Sequence, residues 1–219
     1  RAEKMRAVTL TEVFNDYCRA RKDLKTKTLY DYKRTLTIAF TDWQNKPLIS
    51  ITKDKVAKRH HDLGKEHGEA YANLAMRVLR ALFNFAAGQY EDSEGKSLVT
   101  ENPTKRLSQT RSWYRVERRQ TYIKAHELAM WYRGVMALTN TTLRDYLLLI
   151  LFTGLRRQEA AQLRFDQNVD LDAKTLTVID TKNREQHILP LPSFIYDLLL
   201  RRQKETSSPY VFPGTGAGG

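Results

Sequence analysis

Apolar residues recur at helical spacing through the first part of the chain. Over 9–22, Leu10, Val13, Phe14, Tyr17 and Cys18 fall on one face, which predicts a helix capped by Thr9 or Thr11. A second helix is expected from Thr26 or Thr28 to about Phe40, with Leu29, Tyr32, Leu36 and Phe40 aligned. Thr52 opens a third, with Val56 and Leu63 inward and Lys53, Lys55, Lys58, Arg59 and His60 largely outward; Gly64 and Gly68 punctuate its end. The strongest pattern spans about 69–88, through Tyr71, Leu74, Ala75, Val78, Leu79, Leu82, Phe83 and Phe85, and Gly88 is expected to end it. Residues 91–120 lose this periodicity. They hold a polar turn, Pro103 and an arginine-rich run around Trp113 and Tyr114.

Helical spacing resumes at 124–138 (His126, Leu128, Trp131, Tyr132, Val135, Met136), again at 141–152, and after Gly154 to about Leu163. The pattern then changes period. Leu176 and Val178, then Ile188 and Leu189, alternate on either side of a polar turn, the mark of a β-hairpin. A helix from Ser193 to about Gln203 and a brief extended piece at Tyr210–Phe212 complete the reading. The expected fold is mainly α with a small β-hairpin or sheet, in three parts: a helical bundle over 1–105, a basic linker over 106–118, and an α+β domain over 119–219.

Composition narrows the function. Hydrophobic residues make up 41%, enough for a packed core, and the formal net charge of +12 favours a polyanionic partner such as double-stranded DNA. Both halves are basic, so both can share that partner. The candidate phosphate contacts are Lys53, Lys55, Lys58, Arg59, Arg77, Arg80, Arg111, Arg115, Arg118 and Arg119. A solvated helix face is the common outcome for any single one; the group carries the expectation. Trp113 and Tyr114 read as packed rather than stacked on bases. The single cysteine, Cys18, rules out an internal disulfide framework and a Cys-based zinc site, and fits a cytoplasmic setting. No apolar run is long enough for a membrane span. The absence of an initial Met and the closing GTGAGG suggest a fragment.

The candidate chemistry lies in TGLRRQEAAQLRFDQNVDL, Thr153 to Leu171. Gly154 permits a left-handed turn, and the apolar runs on either side would hold that turn rigidly. An arginine fixed there, Arg156, can aim its planar fork at two non-bridging phosphate oxygens. Glu159 either supports Arg156 or makes a plain i,i+3 salt bridge with it.

These residues resemble the tyrosine recombinase family, the phage-type integrases. The resemblance rests on Thr153, Gly154, Leu155, Arg156, Glu159 and Leu163, then Asp166 and Asp170. It continues through Leu176–Val178, Thr181-Lys182-Asn183 and Pro190-Leu191, with Lys182 eight residues before Pro190. Tyr210-Val211-Phe212-Pro213, the helical first half and Asn102-Pro103 extend it over nearly the whole chain.

The resemblance implies a SAM-like core-binding domain followed by the N-terminal part of a catalytic domain. It implies a parent enzyme of a prophage or mobile element, in a bacterial or phage-infected cytoplasm and associated with the nucleoid. That enzyme would cut and rejoin DNA through a 3′-phosphotyrosyl bond, with no metal or nucleotide cofactor, and would assemble as a tetramer on its sites. Arg156 would grip the phosphate and Lys182 would protonate the departing 5′ oxygen. The family's second box, His-x-x-Arg, has no counterpart: none of His60, His61, His67, His126 or His187 has an arginine three places on. Tyr196 and Tyr210 lie too early to be the nucleophile. The chain alone is therefore expected to bind DNA without cutting it. A non-catalytic DNA-binding module, a type IB topoisomerase and a helical scaffold with incidental charge are the rival readings.

Overall fold

The computed structural model describes residues 8–92, 94–118, 120–179 and 186–214. Its contacts divide into two units, Arg1–Arg119 and Gln120–Gly219, each with its own hydrophobic core.

The first unit is helical. Its elements are α1 (Leu10–Ala20), α2 (Thr26–Ala39), α3 (Lys53–His67), α4 (Glu69–Gln89) and a short α5 (Lys105–Gln109). Thr9 caps α1 in a reciprocal box with Glu12, whose carboxylate accepts from the Thr9 backbone N–H at 2.8 Å. Such a pairing satisfies two otherwise orphaned donors and is worth about 1 kcal/mol. Thr52 caps α3, and Gly68, at φ 89°, breaks the chain between α3 and α4. Gly64 lies inside α3 rather than at its end. Gly88 likewise does not stop α4, which runs one residue further.

The core gathers Leu10, Val13, Phe40, Val56, Met76, Leu79 and Leu82. It also takes in Leu107 of α5, with Trp113 and Tyr114 packed against it. Leu107, Trp113 and Tyr114, which lie within the 106–118 stretch read above as a linker, thus pack with the first core. Two positions invert the expected burial. His60, expected outward, is 2% exposed, and Leu74, expected inward, is 44% exposed.

The second unit is α+β. A 3-10 turn (Ala125–Glu127) leads into α6 (Leu128–Met136), then α7 (Thr141–Thr153), α8 (Arg157–Ala161) and α9 (Phe165–Asn168). Three short strands follow: β1 (Val169–Asp170), β2 (Thr175–Val178) and β3 (His187–Pro190); α10 (Ser193–Glu205) comes after them. The sheet is antiparallel in the order β1-β2-β3, with Leu176 opposite Leu189 and Val178 opposite His187. This is the expected hairpin with one extra strand, β1, too short to show an alternating pattern.

The core collects Leu148, Leu149, Leu163, Leu176, Ile195, Leu199 and Val211. Of the apolar residues on α6, Val135 is buried, whereas Leu128, Tyr132 and Met136 stay substantially exposed.

Candidate phosphate-binding site

The turn between α7 and α8 is built from local chemistry. Thr153 ends α7 and turns its hydroxyl back to the Leu149 carbonyl at 2.7 Å. Gly154 is left-handed (φ 66°, ψ 12°), and its N–H closes on the Ile150 carbonyl. A Cβ at this φ would be strained, so the glycine is required by the turn. Leu155 then inserts into the core at 6% exposure, and Arg156 is thrown outward with its side chain 59% exposed.

Two contacts hold that arginine in place. The Arg156 backbone N–H donates to Glu159 Oε2 at 3.0 Å, and its guanidinium Nη1 donates to Glu159 Oε1 at 2.7 Å. Burial pushes the Glu159 carboxyl up, but the hydrogen bonds and charge from Arg156, with a smaller contribution from His187, outweigh it and leave it below its usual range. Glu159 therefore stays anionic at neutral pH and orients one edge of the fork. Among the described residues no protein acceptor takes the Nε and Nη2 hydrogens. Those donors are what a phosphate oxygen would meet. Tyr146 of α7 adds a brace: its hydroxyl donates to the Arg157 carbonyl at 2.7 Å.

A third layer, invisible in the sequence pattern, locks the segment at Tyr210–Phe212 to this turn. Val211 donates its N–H to the Leu163 carbonyl at 2.8 Å, and Phe165 donates to the Pro209 carbonyl at 2.9 Å. The Val211 carbonyl accepts from Arg202 Nε at 2.8 Å. Arg202, 4% exposed, also reaches Thr142 Oγ1 and the buried carboxylate of Asp145. Arg201 and Arg144 reach the same carboxylate from its more exposed sides. Phe212 lies edge-on to Tyr146, the residue that braces Arg157. The Arg202–Asp145 contact joins residues far apart in sequence, and sequence reasoning missed it; an aspartate set in the apolar run LRDYLLL was the available signal.

The remaining candidates separate clearly. Lys182 and Arg119 lie outside the described residues. Lys53 pairs with Glu101, and Lys55 Nζ donates to the Ser50 carbonyl at 2.8 Å. Arg59 is held inside the fold: it donates to the Ala39 carbonyl and to Asp42 and lies over the Trp43 ring. Lys58 and Arg77 are exposed and have no ion-pair partner among the described residues. Arg80 lies over Trp113 at 5.8 Å, while Arg111, Arg115 and Arg118 are exposed. Among the described residues, no cluster of His, Cys, Asp and Glu could hold a metal ion, and no helix is long and apolar enough to cross a membrane.

Residues 123–217 match the phage integrase family model. The prophage integrase IntF of Escherichia coli (strain K12) is 32% identical over 77 residues, which cover 35% of this chain and 16% of that protein. The fold is shared with a lambda integrase dimer bound to a COC' core site (TM-score 0.72, 22% identity, 97% of this chain and 59% of that one). It is also shared with the Tn1549 transposon integrase in complex with a circular intermediate DNA (TM-score 0.72, 17% identity, 95% and 69%). The chain thus spans somewhat over half the length of that lambda integrase chain and a smaller part of the curated relative. With the Thr153–Leu163 turn, the mainly helical fold with its small antiparallel sheet and the family match, residues 123–217 are identified as a segment of the phage integrase family, the tyrosine recombinases.

Proposed function

We propose that this chain is the duplex-gripping part of a site-specific DNA recombinase. Its parent breaks one strand at a time through a 3′-phosphotyrosyl bond, rejoins it to a new partner, and works as an assembly of copies on DNA in the cytoplasm. The observation that carries this reading is Arg156. It is held on a rigid turn, oriented by a largely buried carboxylate, and its exposed fork keeps donors that have no partner among the described residues. A merely structural salt bridge does not require that combination of a left-handed glycine, a plugged leucine and an exposed fork. Phosphate contacts on the first unit position the duplex, and Arg156 meets the phosphate that reacts. Lys182 is the proton donor to the departing 5′ oxygen. Its place in the sequence, eight residues before Pro190, supports that role. The His-x-x-Arg box and the tyrosine nucleophile are supplied from outside this sequence. The 219-residue chain by itself therefore binds DNA and forms no covalent adduct with it.

The test separates phosphate contacts from fold contacts. Binding of the chain to a duplex falls linearly on a log–log plot against salt. Lys58→Ala and Arg77→Ala each make that slope shallower by up to about 0.9, the release expected for one phosphate contact. Both leave the melting temperature unchanged. Arg59→Ala behaves in the opposite way. It lowers the melting temperature, because the lost contacts are to Ala39, Asp42 and Trp43, and it leaves the slope as it was. Binding that does not respond to salt, or a protein–DNA adduct that survives denaturing electrophoresis, would overturn the reading.

A further inference from the structure

The end of the first unit's packed core carries a device that neither its helices nor its hydrophobic core requires. Asn73, on α4 and 4% exposed, gives its whole amide to the main chain of one residue. Its Nδ2 donates to the Tyr114 carbonyl at 2.9 Å, and its Oδ1 accepts from the Tyr114 N–H at 3.3 Å. One side chain thus pairs with Tyr114 much as a neighbouring strand would. The same Oδ1 accepts from His60 Nε2 at 2.9 Å, which places the imidazole proton on that nitrogen. The His60 ring tilts against the Tyr114 ring at 4.6 Å and meets the edge of Trp113 at 5.7 Å. Trp113 in turn donates its Nε1–H to Ser108 Oγ.

Beneath the Tyr114 ring lies Gly64. A Cβ at that position would overlap the ring itself. Glycine inside a helix and a polar pair inside a core are both unfavourable choices unless something is gained. Here the two choices have a single beneficiary, the fixed position of residue 114. Directly after it the chain is exposed and without regular structure through Arg115 and Arg118. Four residues of extended chain span no more than about 14 Å. An end pinned at 114 therefore holds both arginines close to the first unit instead of letting them sweep solvent, which raises their effective concentration at a nearby phosphate.

We propose that Gly64, His60 and Asn73 form a clasp that docks Trp113-Tyr114, and that this clasp positions Arg115 and Arg118 on the duplex gripped by Lys58 and Arg77. The clasp residues are positioning residues; the two arginines make the contact. The proposal rests on the DNA-binding reading above. Its test uses Gly64→Leu in the 219-residue chain, which places a good helix former in α3 and fills the slot under the ring. At about 0.1 M salt, duplex affinity falls about tenfold, and the salt slope becomes shallower by up to about 1.8, the loss of two phosphate contacts. In an Arg115→Ala, Arg118→Ala background the same substitution changes neither quantity, since there is no contact left for the clasp to position. Tyr114→Phe, which keeps the ring, binds as the unaltered chain does. Tyr114→Ala repeats the loss, and it decides the matter if Gly64→Leu does not fold. An unaltered slope in folded Gly64→Leu and Tyr114→Ala chains, or an equal loss in both backgrounds, overturns the clasp while leaving DNA binding intact. Failure of the unaltered chain to bind duplex DNA in a salt-dependent way overturns both.

Discussion

Arg156→Ala in the intact recombinase is expected to lower single-turnover strand cleavage by about 10³-fold or more, while duplex affinity falls only a few-fold. The asymmetry follows from where charge develops. In the proposed reading the scissile phosphodiester carries one negative charge in the ground state, and Arg156 would be one of many cations near the duplex backbone. In the phosphorane-like transition state the non-bridging oxygens gain charge, and a preorganised fork at that point stabilises the transition state more than the ground state. Removing one such donor from a preorganised site typically costs about 10²–10³ in rate, and arginines that stabilise phosphoryl transfer reach about 10³–10⁵. Arg156→Lys keeps the charge but loses the second arm of the fork, and recovers only part of the rate. The measurement is the yield of covalent protein–DNA complex against time, beside a binding titration of the same variants. Near-normal cleavage, or a loss of affinity as large as the loss of rate, would remove Arg156 from the reacting phosphate. The same assay examines Lys182. Lys182→Ala slows a substrate with the ordinary 5′-oxygen leaving group far more than one with a 5′-sulfur, which departs without needing a proton; equal slowing of the two would exclude the acid role.

The Thr153–Leu163 turn was legible because its determinants are local. Gly154 must be glycine at φ 66°, Thr153 bonds within its own helix, Leu155 plugs the core, and Glu159 sits one turn from Arg156. Each of those relations spans four residues or fewer, so the sequence carries them in order. The hairpin was legible for a related reason: a change of period from helical to alternating marks β2 and β3, and hydrophobic positions fix their register.

What escaped were polar groups whose partners lie far away along the chain. His60 stands among Lys58, Arg59 and His61 and reads as part of a wet helix face. It is buried because Asn73, on the next helix, accepts its proton. Asn73 then displaces its apolar neighbour: Leu74 is left outside and the amide sits inside, the reverse of what hydrophobicity alone assigns. Arg59 failed in the same way, since its acceptors belong to residues 39 and 42 and its stacking partner to residue 43. The exposure of Leu128, Tyr132 and Met136 on α6 escaped for another reason. Periodicity identifies an apolar face, but not whether this unit has anything to cover it.

The Asp145 network is the extreme case of distant partners, and it supports the second large effect. Asp145→Ala is expected to destabilise the second unit by about 3–5 kcal/mol, the usual penalty for removing one partner of a buried pair. For a unit of this size that lowers its melting temperature by well over about 10 °C. The carboxylate side chain is 1% exposed, and Arg202, opposite it, is 4% exposed. Arg202 cannot turn to water without releasing the Val211 carbonyl and leaving the Phe212 ring over which it lies. With the carboxylate gone, Arg144, Arg201 and Arg202 lose the acid they converge on, and Glu205 still pairs with Arg201 alone. Asp145→Asn, which keeps hydrogen-bonding capacity but not the charge, falls between the two. The paired change Asp145→Leu with Arg202→Met recovers much of the loss, because a well-packed apolar pair avoids the desolvation both charges suffer. Calorimetry should show the first unit melting as before and the second moving down alone. If Asp145→Ala melts within about 2 °C of the unaltered chain, the carboxylate is not what holds Arg202. The network also bears on chemistry. Val211 and Phe212 touch Leu163 and Tyr146, and Tyr146 braces the carbonyl next to Arg156. Loosening Arg202 therefore loosens the turn that aims the fork, so the paired variant that regains stability should cleave more slowly than the unaltered recombinase at equal folded fraction.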